Sequence, residues 1–371
     1  MCRSDRYEKT TAPWQNGTTR NKQIQCLSYT QAMNAGSRPM WKKVQTMKTL
    51  PGFAATILGI AVLCGTPATA QFATWKGYPA GYVLPVGSGR FEAVMETDPS
   101  LPTHTIYHPK TLAAFGKRQK LPIVAFGNGA CANIGSLYRN FLTEVASQGF
   151  LVVAIGPAGA DMSAMPPPPG PPPVPPPGAA RAGGVPPNLP PVESKSSQLI
   201  DAVNWAISQN SATASPYRGK LDTQAIALMG QSCGGLQAID VSADPRIKTT
   251  VVLNSGLFPD SSPIPGMNVP QSQLQKLHGP VVYFIGGPTD IAYENAEHDY
   301  PQIQVPIFKA NLDVGHMATY AQPNGGAFGK VTGDWLKWQL KSDKSAATQF
   351  TGPKCGLCQD PKWKVERKKI S

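Results

Sequence analysis

Mostly apolar runs of strand length alternate with segments of helical periodicity through the chain. The runs are Leu121–Phe126, Phe150–Ile155, Ala225–Met229, Thr249–Leu253, Val281–Ile285 and Val305–Leu312. Strands with so few polar interruptions are buried on both faces, as in a parallel sheet covered by helices on each side. Between the runs, Leu137, Phe141, Leu142 and Val145 share one helical face, and Gly149 ends that helix. A second helix is predicted over Ser197–Ser208, with Leu199, Ile200, Val203 and Ile207 on one side. An amphipathic helix near Val331–Leu340 closes the series. Phe91–Met95 and Thr103–Tyr107 read as earlier strands in a hairpin-like start. The pattern predicts an α/β protein with a mostly parallel central sheet and helices on both faces. It contains no internal repeat.

One junction carries chemistry. The run Ala225–Met229 enters Gly230-Gln231-Ser232-Cys233-Gly234-Gly235, and an apolar, helix-compatible segment follows. That is strand, sharp turn and helix, with a serine at the apex. The strained serine crowds positions two places to either side, which is why glycines stand there. A plain glycine-rich turn is the competing reading, and the strand and helix flanking the motif argue against it.

A serine hydroxyl needs an imidazole to take its proton and a carboxylate to orient that imidazole. Five histidines occur in the chain, His104, His108, His278, His298 and His316. His316 sits in the loop after the last long strand run, at the carboxyl edge where ligands bind. His278 precedes its strand and so belongs at the opposite edge; His104 and His108 lie before the first crossover. His298, placed in a polar loop, is the rival. For the carboxylate, Asp290 follows the strand Val281–Ile285 in Gly286-Gly287-Pro288-Thr289-Asp290, with Asp299 and Asp313 as alternatives. The order Ser232, Asp290, His316, with gaps of 58 and 26 residues, is the order of α/β-hydrolases. An oxyanion formed at Ser232 needs two converging N–H donors. One falls to the amide of Cys233. The other falls to Gly127–Cys131, with Ala130 favoured and Gly129 or Cys131 as neighbours.

Composition changes the picture mainly at the ends. The chain has 371 residues, 41% of them hydrophobic, and a net charge of +12. Residues 1–70 hold 9 Lys/Arg against 2 Asp/Glu, and residues 354–371 hold 6 against 2. The body is therefore close to neutral, which argues against a nucleic-acid groove. Met47-Lys48, the apolar run Phe53–Leu63 and Ala68-Thr69-Ala70 form a signal-peptide pattern over residues 47–70, with Gln71 as the mature start. The apolar run is too short for a stable membrane anchor, and Leu63 before Cys64 argues against a lipid anchor. Residues 1–46 read as a leader or an over-extended start, and 71–371 as one domain. Residues 165–192 interrupt it with 14 prolines, an extended insertion at the carboxyl edge of the sheet. A tolerated surface insertion is favoured there over a rim to the site. A basic, cysteine-containing tail is expected over 350–371.

Export, to the outside or to a periplasm, leaves Cys131, Cys233, Cys355 and Cys358 in an oxidising compartment, where disulfides are favoured over metal ligation. Two oxyanion amides reaching one oxygen have nitrogens at most roughly 6 Å apart. That brings Cys131 and Cys233 near the roughly 4.4–6.8 Å Cα window of a disulfide, and Cys355 then pairs with Cys358 as a local clip. Two buried free thiols are the alternative at the first pair. No metal or other cofactor is expected.

Phe126-Gly127-Asn128-Gly129, Ala146–Phe150, Gly230–Gly235, Gly286–Asp290 and Gly315-His316 resemble the corresponding segments of secreted α/β-hydrolases. The group is that of dienelactone hydrolases and chlorophyllase-like enzymes, with bacterial polyester hydrolases and cutinases. The likeness covers about Phe91 to Leu340. It implies the α/β-hydrolase fold and a cofactor-free serine esterase acting on a small or polymeric ester, with Ser232, Asp290 and His316 as its triad. The chain departs from the group at Gln231, where a histidine is usual, and in its two oxyanion cysteines and its proline insertion. A secreted peptidase of the same fold and a non-catalytic binding protein are the other classes consistent with the chain. The sequence does not fix an oligomeric state.

Overall fold

A computed structural model describes residues 83–162 and 192–370. The predicted leader and signal peptide, the mature start at Gln71 and nearly all of the proline-rich insertion lie outside the described residues.

The strands are β1 (Ala93–Glu96), β2 (His104–Pro109), β3 (Leu121–Gly127), β4 (Leu151–Ile155), β5 (Leu221–Gln231), β6 (Ile247–Leu253), β7 (Val281–Ile285), β8 (Ile307–Leu312) and β9 (Trp363–Lys368). They form one nine-stranded sheet in the order β1-β2-β4-β3-β5-β6-β7-β8-β9. From β4 to β8 every neighbouring pair is parallel. β2 is antiparallel to both β1 and β4, and β9 is antiparallel to β8. The chain is thus an α/β protein built on a large, mostly parallel sheet.

Alternation along the strands sends successive side chains to opposite faces. On one face Val124, Phe126, Val152, Ala227, Met229 and Val251 pack with α1 (Arg139–Ser147) and α5 (Gly326–Lys341) through Phe141, Leu142, Val145, Trp335 and Leu336. On the other, Ile123, Ala125, Val153 and Leu228 pack with α2 (Ser197–Ser211) through Leu199, Ala202 and Val203. Farther along that face Val252, Tyr283 and Ile285 meet α3 (Cys233–Val241) and α4 (Tyr293–Gln302) through Leu236, Ile239 and Ala296. Both faces are buried, which is why the central runs carry almost no polar residues.

Three local features differ from the sequence reading. His298 lies on α4 rather than in a polar loop. Its ring and carbonyl engage Gln302, one turn on. The helix at the end of the body begins earlier than predicted, at Gly326. The segment after residue 350, expected as a tail, supplies the ninth strand. Its basic residues bind carbonyls: Arg367 donates to Phe350 O and Gly352 O, and Lys368 donates to Tyr300 O and Ile303 O.

Candidate active site

Parallel strands deliver their following loops to one edge of the sheet, and four neighbours build the site there. β3 leads into Asn128–Cys131, β5 into Ser232, β7 into Asp290 and β8 into His316. Ser232 stands between β5 and α3 with φ 51° and ψ −121°, a conformation that costs a non-glycine residue on the order of 1–3 kcal/mol. Its neighbours make that turn possible. A Cβ on Gly230 would lie 2.0 Å from Gly234 O, and one on Gly234 would lie 2.0 Å from Gly127 O. No side chain larger than hydrogen fits at either position. The second clash also shows how closely the turn abuts the end of β3.

The three chemical groups meet in one line. His316 Nε2 is 2.9 Å from Ser232 Oγ, and His316 Nδ1 is 2.6 Å from Asp290 Oδ1. Asp290 is buried and saturated with donors: Ala292 N to Oδ1 at 2.9 Å, Gly286 N to Oδ2 at 2.9 Å and Asn254 Nδ2 to Oδ2 at 2.7 Å. Burial on its own raises a carboxyl pKa. Here the hydrogen bond and charge of His316, with the amides of Ala292 and Gly286, outweigh it and hold Asp290 below its ordinary 3.8. Because Asp290 is the acceptor, the Nδ1 atom of His316 carries the ring proton and Nε2 faces Ser232 as a base.

The other candidates lie elsewhere. Asp299, on α4, accepts from Leu257 N at 2.8 Å and Tyr283 Oη at 3.0 Å; burial pushes its carboxyl up to about 7. Asp313 is exposed and accepts from Thr289 Oγ1. His278 contacts Ile247 O, at the start of β6 and so at the opposite edge. His104 and His108 are on β2.

Cys131 and Cys233 are joined by a disulfide with Cα atoms 5.2 Å apart. It ties the loop after β3 to the first residue of α3, and both sulfurs are buried. Ala130 and Cys131 have φ 54° and 48°, so this short turn is held in a left-handed conformation that neither residue prefers. The Ala130 side chain points to solvent. The amide of Gly129 is engaged by the Tyr138 hydroxyl, so of the three candidate donors in this loop Gly129 already has a partner. At the first turn of α3 the amide of Gly235 already donates to Ser232 O at 2.8 Å, while those of Cys233 and Gly234 come before the first intrahelical acceptor. Beyond the insertion the chain returns to this loop, where Ser194 Oγ and Glu193 N donate to Cys131 O at 2.9 and 3.3 Å. Cys355 and Cys358 form the second disulfide.

Sequence reasoning passed over four residues of this neighbourhood or gave them no role there: Tyr138, Gln231, Asn254 and Tyr320. All four are buried and hydrogen-bonded around the serine, histidine and aspartate. Position alone pointed to Asn254, which follows β6 at the same edge; nothing in the sequence pointed to the tyrosines.

Ile291, Val314 and Met317 are exposed large apolar residues on the loops that carry Asp290 and His316. Among the described residues there is no cluster of three or more His, Cys, Asp or Glu placed to hold a metal. No described helix is long and apolar enough to cross a membrane. No protein-family model matches the chain, and no curated protein matches it.

Proposed function

We propose that this chain is a secreted or periplasmic serine hydrolase of the α/β-hydrolase fold, cleaving carboxylic esters through an acyl-enzyme. The observation that carries the reading is the continuous hydrogen-bonded line from Ser232 through His316 to Asp290. The strained turn that lifts Ser232 to the edge of the sheet supports it, as do two disulfides of the kind found in oxidising compartments. So does the likeness to dienelactone hydrolases, chlorophyllase-like enzymes and polyester hydrolases noted on the motifs.

In this reading Ser232 Oγ attacks the ester carbonyl carbon while His316 Nε2 takes its proton. The carbonyl π electrons move onto oxygen, and the amides of Cys233 and Ala130 receive the oxyanion at the positive end of α3. Collapse of the tetrahedral species breaks the carbon–alkoxide bond, and the imidazolium returns the proton to the departing alcohol. Water then attacks the acyl-enzyme by the same route, releasing the acid and restoring Ser232. Asp290, held ionised, steadies the imidazolium at each stage. Ile291, Val314 and Met317, apolar and exposed around that centre, favour a substrate with an apolar flank.

A series of p-nitrophenyl esters graded by acyl length tests the reading. Hydrolysis is expected, with kcat/KM rising with chain length. Ser232→Ala should lower kcat by on the order of a thousandfold or more. Ester turnover undiminished in Ser232→Ala contradicts it.

A further inference from the structure

Two buried side-chain amides lie behind the serine and its histidine, one at the end of each central strand. Gln231 ends β5; its Nε2 donates to His316 O at 3.1 Å. Asn254 follows β6; its Nδ2 donates to Asp290 Oδ2 at 2.7 Å and to Gly315 O at 3.3 Å. The backbone carbonyls of Gly315 and His316, consecutive in the loop, are thus gripped by two different strands.

An amide can turn over and present oxygen where nitrogen is needed. A tyrosine prevents that at each position. Tyr138 donates its hydroxyl to Gln231 Oε1 at 2.6 Å, and Tyr320 donates its hydroxyl to Asn254 Oδ1. A hydroxyl donor on the oxygen fixes the nitrogen on the opposite side. Burial raises both phenols above their ordinary range, so both stay protonated. The two rings pack edge to face with centroids 5.3 Å apart, and they rest on Phe126 and Phe141. Asn254 holds its place with φ 44°, a strained backbone for which no other role is evident.

We infer that Asn254 and Gln231, each oriented by its tyrosine, are positioning residues that set the place and aim of the His316 imidazole. Asn254 does so twice, through the carboxylate that orients the ring and through the carbonyl of the preceding residue. Gln231 does so through the residue's own carbonyl. Because the Tyr138 hydroxyl also engages the amide of Gly129, the same clamp reaches the loop assigned to the oxyanion. The inference rests on the proposed hydrolase reading for its kinetic consequence and on geometry alone for its structural one.

The test uses Tyr320→Phe and Tyr138→Phe, which delete one hydroxyl each and keep the ring packing, together with Asn254→Asp, which keeps the shape and removes the donor. Turnover is measured per active site titrated with a phosphonate, beside the melting temperature. The far-downfield proton resonance of His316 Nδ1–H is recorded in the same samples and assigned by its loss in His316→Ala. Each variant should lower kcat per titrated site by about tenfold or more, since a hydrogen bond on a charged network is being broken. KM should stay within about twofold, and the resonance should shift or broaden. A merely structural role lowers the melting temperature alone. Unchanged kcat per titrated site together with an unmoved resonance overturns the inference. A wild-type protein inactive on every ester, whose resonance still moves in the variants, sinks the hydrolase reading and supports the positioning role.

Discussion

Asp299 and Asp290 show how position decides the state of a carboxyl. Both are buried, yet Asp290 is surrounded by donors and held ionised, whereas burial lifts Asp299 to about 7. Asp299 has Leu257 N and the Tyr283 hydroxyl as donors to one oxygen, too few to offset its desolvation. With a folded value near 7 against an ordinary 3.8, the native chain binds more protons than the unfolded chain between those limits. Its contribution is therefore most favourable below about pH 4 and is lost as pH rises toward 7. The loss should be on the order of 4 kcal/mol, from the interval between 3.8 and about 7. Asp299→Asn should flatten this part of the stability curve and exceed the wild type at pH 8 in urea unfolding. A wild-type curve flat from pH 4 to 7 would show that Asp299 is ionised throughout. The residues legible in the sequence were those obeying a rule about strand ends: a serine between glycines, an acid after one strand, a histidine after the next. Tyr138 and Tyr320 obey no such rule. Their partners Gln231 and Asn254 lie 93 and 66 positions away in sequence, and only the fold brings each pair together at a shared buried edge.

At the scale of elements, the parallel strands were readable because burial on both faces leaves an unbroken apolar run. β9 was not. Its sequence Trp363-Lys364-Val365-Glu366-Arg367-Lys368 alternates, with charges that mark an edge strand, and the basic composition obscured the period of two. α4 was missed for a related reason: with few apolar residues and a proline at 301, its sequence carries no helical stripe. The link between elements most exposed to test is the Cys131–Cys233 disulfide, whose partners are 102 residues apart. The chain-entropy model assigns a loop of that length about 4–5 kcal/mol. Selective reduction, or replacing both cysteines by serine, should lower the melting temperature by on the order of 10 °C. It should also lower turnover at temperatures where the protein remains folded, because the bond ties the turn at Ala130 to the residue after Ser232. If turnover per folded molecule is unchanged, the bond serves stability alone.

For the molecule as a whole, one edge of one sheet gathers what the chain spreads over nearly two hundred residues, from Asn128 to Tyr320. The scaffold beneath is apolar on both faces, and at its edge Ser232, His316, Asp290, Asn254, Gln231 and the two tyrosines hydrogen-bond to one another. In the proposed reading this edge activates Ser232. Treating the intact, non-reduced protein with a fluorophosphonate and mapping the adduct by mass spectrometry tests it most directly. Activation of Ser232 by His316 should give a single adduct on Ser232, formed rapidly in the wild type and suppressed in His316→Ala. An adduct on another residue, or labelling of Ser232 that is equally fast without His316, contradicts it.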